Sequence, residues 1–250
     1  MTFCLGMNCE QGLLALADTR ITSGSETSTA KKISVYETEH YTLFVLTSGL
    51  RSARDKAVTY FEERLETDGS QLQRMHHAAN LLAEEIRRVR KEDQSWLEAG
   101  GLAFDLHCIV GGQVRGEDRH RLYLIYPEGN WVEVTGETPY VITGESAYGK
   151  PVLDRVWRYE STLEQALRDA LLSFDATRTS ASDVGYPLDV VVYRRGSFEV
   201  SQRRFTRADL EPIAAYWQHA IGDAADRAAE LVSPLFNSLV TLPHQSAPAA

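Results

Sequence analysis

The order of elements predicted from the sequence is that of an α+β fold of the segregated kind. Short apolar runs bounded by turn residues open the chain, and a pair of helical stretches follows. More strands come next, then a second helix pair, then a closing hairpin. Strands and helices do not alternate one for one, as they would in a parallel βαβ sheet. The order is compatible with two antiparallel sheets packed face to face between helical layers.

Residues 2–9 and 13–17 are two apolar runs joined at Glu10-Gln11-Gly12, which reads as a hairpin. The second residue thereby sits at the head of a strand, where it is held firmly, whereas most termini fray. Residues 21–30 are loop by composition. Lys32, Ser34 and Tyr36 alternate with Lys31, Ile33 and Val35, giving a third strand with side chains on opposite faces. Residues 41–47 make a fourth. Two helices are expected at 52–65 and 72–91. In the second, Leu72, Met75, Ala79, Leu82, Ile86 and Val89 recur at three- and four-residue spacing. Residues 92–101 read as a loop.

Strands are expected at 104–110 and 121–126, separated by a charged turn at 112–120. The turn Pro127-Glu128-Gly129-Asn130 leads to strands at 131–134 and 140–143. Helices are expected at 150–158 and 163–172, followed by a polar, irregular stretch at 175–186. Residues 188–193 and 198–205, joined at Arg195-Gly196, form the closing hairpin. Residues 209–232 are helical, with Leu210, Ile213, Ala214, Trp217, Ile221, Ala225 and Ala228 on one face. Gly222 costs that helix about 1 kcal/mol relative to Ala and marks the place for a break. The last ten residues have the composition of a disordered tail. The organisation expected is one domain at 2–205, a helical extension of it at 206–240 and a tail at 241–250. No repeat of solenoid period is present.

At 250 residues and 43% hydrophobic content the chain can bury a sizeable single core. A net charge of −9 argues against a nucleic acid or an anionic membrane as partner. The first residues lack the basic and apolar regions of a signal peptide, and no apolar run approaches the roughly 18 residues of a membrane span. Cys4, Cys9 and Cys108 form no CxxC pair and no even framework, which fits a reducing, cytoplasmic setting. No HExxH pattern occurs, His76-His77 and His107-Cys108 are merely adjacent pairs, and neither a metal nor a cofactor is expected.

The chemistry is expected at Thr2. A small residue directly after Met1 makes that Met removable, and Thr2 would then carry both a hydroxyl and a free α-amine, a nucleophile and a general base in one residue. An α-amine has a pKa of roughly 7.7–8.0, so a useful fraction is neutral at neutral pH.

Thr2, Asp18-x-Arg20, Lys32-Ile33 and Ser48-Gly49 resemble the front half of a proteasome β-type subunit, an N-terminal-nucleophile hydrolase. Four motifs resemble more closely the bacterial branch called Anbu, the ancestral β subunit. They are Met1-Thr2-x-Cys4, Ala17-Asp18-Thr19-Arg20, Gly144-Glu145-Ser146-x-Tyr148-Gly149-Lys150-Pro151 and Val184-Gly185-x-Pro187-x-Asp189. The similarity runs from residue 2 to about residue 205. It implies a four-layer αββα sandwich of two antiparallel sheets between helical layers.

The resemblance also implies roles. Thr2 is the nucleophile; Lys32, with Asp18 as its counter-ion, lowers the pKa of the Thr2 amine, because two nearby positive charges disfavour each other. Lys31 is the alternative to Lys32, and the family pattern, with Lys just before a hydrophobic residue, selects Lys32. Gly49, after Ser48, supplies a backbone N–H to the oxyanion. Ser146 helps to hold the amine; as a lone feature it would read as a helix-cap serine. Arg20 belongs to the same polar cluster. Proteasome β subunits carry Asp-x-x-Ser-Gly where this chain has Ser180-Ala181-Ser182-Asp183-Val184-Gly185, so Asp183 aligns with their serine. The function implied is a threonine peptidase or amidohydrolase that acts on a peptide or amide substrate in a homo-oligomeric ring or spiral. The alternative is an assembly or scaffold protein of the same fold with a vestigial Thr2. No docking motif for an ATPase is legible.

Overall fold

The structure is a computed structural model that describes residues 2–23 and 26–240. Expectations for Met1, for residues 24–25 and for the tail at 241–250 lie outside the described residues. The chain divides into two compact units, Met1–Ala208 and Asp209–Ala250.

The first unit is built on two five-stranded antiparallel sheets. One has the order β10(Tyr140–Gly144), β1(Phe3–Cys9), β2(Gly12–Asp18), β11(Leu188–Arg194), β12(Val200–Phe205). The other runs β5(Ile33–Glu37), β6(Tyr41–Gly49), β7(Leu106–Val114), β8(Arg121–Ile125), β9(Trp131–Glu133). The inner faces of the sheets meet in a core that includes Cys4, Leu13, Ala15, Phe44, Leu46, Ile109 and Leu122. On the outer face of the second sheet lie α1(Arg51–Asp68) and α2(Met75–Ala99), sharing a second core with it. On the outer face of the first lies α4(Leu163–Ser180), joined by α3(Lys150–Val156). This is the four-layer αββα sandwich. Every residue of β1 and β2 is buried because their sheet is covered on both faces. Alternation then sends Cys4 to the inter-sheet core while the Phe3 ring stands 6.1 Å from that of Phe174 on α4.

The structure departs from the sequence reading at several places, one being β7, which runs on to Val114 into the turn expected at 112–120. Residues 21–30, expected as loop, include β3(Arg20–Ser23) and β4(Glu26–Thr29), a two-stranded antiparallel ribbon. Thr and Ile, whose β-branched chains favour extended backbone, supply its strand character without an apolar pattern. Helix α2 continues through residues 92–99, expected as loop. Its exposed end is laced by bonds from Arg88 to Glu92 (3.2 Å), Arg90 to Gln94 (2.9 Å) and Gln94 to Glu98 (2.7 Å). Such four-residue pairs stabilise a solvated helix face that has nothing apolar to bury. Helix α4 runs on to Ser180, past the stretch from 175 expected to be irregular. Thr177 and Thr179 donate their hydroxyls to the carbonyls of Ser173 (2.9 Å) and Asp175 (2.8 Å), so polar residues are satisfied inside the helix. Thr162 opens α4 with a capping box to Gln165. Finally, Lys32 precedes β5 instead of lying within it.

The second unit is carried by α5(Arg207–Val240), which passes through Gly222 and Pro234 without a break. Toward its end Leu231, Leu235 and Leu239 form one exposed row, with Val232, Phe236 and Val240 beside it.

Candidate active site

Thr2 is fixed from both sides by backbone. Its carbonyl accepts the N–H of Glu145 at 2.7 Å, and the next residue, Phe3, pairs with Gly144 on β10. Gly144 has φ +83°, and a Cβ there would fall 2.0 Å from the Thr2 carbonyl oxygen. Only glycine lets β10 approach the Thr2 backbone so closely.

Asp18 ends β2 directly beneath. Its Oδ1 accepts the Phe3 N–H at 2.9 Å and the Lys32 ammonium at 2.7 Å. Lys32 leads into β5 of the other sheet, where its carbonyl accepts the Thr47 N–H of β6 at 3.1 Å, and it donates again to the Arg20 carbonyl at 2.8 Å. The ion pair therefore bridges the two sheets. Its partners are fully buried (Asp18) and 4% exposed (Lys32), whereas Lys31 is exposed. Burial pushes the Asp18 carboxyl above its usual range, and the Lys32 charge and the Phe3 N–H pull it back. The Cys4 thiol, two residues on from Thr2, is pushed up to about 12 by burial, so it is protonated and chemically quiet.

Above the pair opens a cleft of about 580 Å³. Thr2, Arg20, Lys32, Ser48 and Gly49 line it, so five of the residues singled out in the sequence converge there. Gly49, at φ +115°, lies against the Asp105 carbonyl, which a Cβ would meet at 2.2 Å. Asp18 lies under the cleft floor instead of in its wall. Among the described residues, no group of three or more His, Cys, Asp or Glu side chains is placed to hold a metal ion.

The profile of the family described as "Proteasome subunit" matches residues 2–193 of this sequence. The chain belongs to the proteasome subunit family. Its likeness to solved Anbu structures places it in the Anbu branch. A chain of the helical Anbu assembly from Pseudomonas aeruginosa is 34% identical with a TM-score of 0.85, over 90% of this chain and 96% of that one. Anbu, the ancestral β-subunit, from Yersinia bercovieri is 32% identical with a TM-score of 0.79, over 98% of this chain and 100% of that one. The proteasome subunit alpha of Methanoregula boonei is 26% identical over 218 residues, 86% of this chain and 83% of the relative.

In this proteasome-family chain two of the residues singled out stand apart from the cleft. Ser146 is half-buried ahead of α3, its carbonyl accepting the Lys150 N–H at 3.0 Å. It caps no helix with its side chain, since the N-cap of α3 is Gly149. Asp183 lies in the turn after α4, half-buried and outside the cleft lining. Its neighbours nevertheless reach the site: Arg20 donates to the Ser182 carbonyl at 2.7 Å, and its guanidinium packs on Gly185.

Thr47, Arg51, Arg54, Asp105, His107 and Gly144 also line the cleft and were not singled out as site residues. His107, set aside as half of an adjacent pair, faces the cleft with Asp105 3.1 Å from its Nδ1, while Cys108 is fully buried. Period-two alternation of β7 carried that information. For Arg51 and Arg54 the only signal was their place at the start of the helix that follows Ser48-Gly49.

Proposed function

We propose that Thr2, freed by removal of Met1, is the nucleophile of a proteasome-type amide hydrolase working in an assembly of identical subunits. The observation that carries this reading is the convergence of Thr2, Lys32 and Gly49 on one cleft, with the buried Asp18–Lys32 pair under its floor. The Thr2 Oγ attacks the substrate carbonyl while the Thr2 α-amine takes its proton. The Lys32 charge keeps that amine from holding a proton too tightly. Negative charge on the tetrahedral oxygen is met by the Gly49 N–H. Collapse breaks the C–N bond, the leaving amine takes the proton from the Thr2 ammonium, and the acyl group remains as an ester on Oγ. Water, deprotonated by the same amine, then attacks the ester; the C–Oγ bond breaks, the Thr2 ammonium returns the proton to Oγ, and the acid leaves. Arg20 fixes the loop carrying Ser182 and Gly185, and Ser146 and Asp183, outside the cleft lining, have supporting parts only.

Self-assembly is supported by the helical assembly of the Pseudomonas aeruginosa relative and by the exposed apolar rows on α5, which suit burial against a second copy. The setting proposed is the cytoplasm; among the described residues no helix is long and apolar enough to cross a membrane.

The test is covalent trapping. A peptide epoxyketone, which needs both a hydroxyl and a free amine on one residue, is incubated with the purified chain, and intact mass and peptide mapping are read. An adduct on Thr2 that disappears in Thr2→Ala is the expected result. Retention of Met1 with no adduct would instead make the chain an assembly or scaffold protein of this fold.

A further inference from the structure

We infer that the cleft selects substrates carrying a negatively charged group, a carboxylate side chain, on the acyl side of the bond to be cut. This rests on the reading of Thr2 as nucleophile. The chain as a whole is acidic, with 26 Lys and Arg against 35 Asp and Glu, yet Arg20, Lys32, Arg51 and Arg54 line the cleft against one carboxylate, Asp105. A cleft whose sign opposes that of its protein concentrates ligands of the opposite charge.

Most of these charges have local partners, and the imbalance survives them. Lys32 is offset by Asp18, and Asp105 faces His107. Arg51 and Arg54 share a single counter-ion. Asp55 Oδ1 accepts from Arg54 at 2.6 and 2.8 Å, and its Oδ2 lies 3.4 Å from the Arg51 Nε. One carboxylate between two guanidiniums leaves a positive charge at the rim. The Arg54 side chain is only 13% exposed, so water screens it little. Helix α1, whose first turn holds no acidic residue, adds the positive end of its dipole to the same edge. A substrate carboxylate reaching this wall meets a planar guanidinium suited to two-point contact.

The experiment uses the purified full-length chain and three peptide epoxyketones that differ only in the residue next to the warhead, Glu, Leu or Lys. Rates of Thr2 labelling are read by intact mass. The Glu reagent is expected to label at least about tenfold faster than the Lys reagent at low salt, with the gap narrowing as salt is added. Arg54→Glu is expected to invert that order. Arg51→Glu, at a more exposed position, is expected to narrow it and serves as the second variant should Arg54→Glu fail to fold. Equal labelling by all three, or an order unmoved by either variant, overturns the inference while leaving the nucleophile intact. Labelling by none overturns the nucleophile instead. The charge preference is then read from binding of fluorescent acetyl-peptides ending in Glu or Lys to the Thr2→Ala chain, where equal affinities overturn it.

Discussion

A single carboxylate oxygen, Asp18 Oδ1, holds both Phe3, the residue after Thr2, and the Lys32 ammonium, at 2.9 and 2.7 Å. Position of the chain start and charge beside it are thereby set by one atom. Removing Lys32 leaves that carboxylate buried and unpaired. Lys32→Met is expected to cost roughly 3–5 kcal/mol of stability, because an uncompensated buried charge is expensive. In an Asp18→Asn background the same change should cost much less. Urea denaturation of the two single variants and the double variant measures the difference, and equal costs would show that the pair is not coupled.

Gly144 is the second point of constraint. Gly144→Ala puts a methyl group 2.0 Å from the Thr2 carbonyl oxygen at φ +83°. The expected result is a loss of about 1–3 kcal/mol in stability. If Thr2 is the nucleophile proposed, its labelling should slow about a hundredfold as its backbone shifts. Gly116→Ala, at φ +92° with open space around it, is the control. It should carry the backbone strain alone and label at the unaltered rate.

His120 ties the sheets together at the far end from the cleft. Its Nε2 lies 3.1 Å from Asn8 Oδ1 and 2.9 Å from the Cys9 carbonyl, both acceptors, so that nitrogen carries the proton. The Nδ1 is buried without a hydrogen-bond partner, and a second proton would have to sit there. Burial first, then the charges of Arg195 and Arg119, lower its pKa to about 4, with the Cys9 carbonyl opposing. The unfolded chain takes up this proton near pH 6.5 and the folded chain only near pH 4. Stability is therefore full above pH 6.5 and falls as the pH drops between those values. The loss attributable to His120 approaches about 3 kcal/mol. Denaturation midpoints from pH 7 to pH 4 should fall less steeply in His120→Gln, and parallel curves would remove His120 as the cause.

The thiols should be silent. Cys4, Cys9 and Cys108 are each at most 1% exposed, and burial raises the pKa of all three. A maleimide added to the native chain is expected to leave all three unmodified at neutral pH and to modify all three in denaturant. Rapid native labelling of Cys4 would mean that the floor beneath Thr2 opens to solvent.

How much of this was legible depended on where the signal resides. The central strands of both sheets were readable because they bury one or both faces and write that burial into apolar runs such as Leu13–Ala17, whereas the edge strand β12 buries neither face and was read from the hairpin turn before it. The ends of α2 and α4 were hidden because side-chain ladders and hydroxyl-to-carbonyl bonds, not apolar faces, hold them. The same difference divides the site. Thr2, Asp18, Lys32 and Gly49 sit in short motifs whose spacing can be read along the chain. Arg54, Asp105 and His107 meet only because β6 pairs with β7 and α1 starts beside them, a proximity that exists in the fold and nowhere in the linear order.

Strand β1 pairs on both sides and packs on both faces, so its length is locked. Gaining or losing one residue between Thr2 and Cys9 would exchange the faces of Phe3 and Cys4 and ruin two cores at once. The exposed rim of the cleft carries no such obligation. Arg51 and His107 are partly exposed side chains, replaceable without disturbing either core. Under the proposed function, which substrates fit and whether Thr2 reacts are therefore separately adjustable: the first can be rewritten at the rim, while the second is protected by interior packing that no substrate touches.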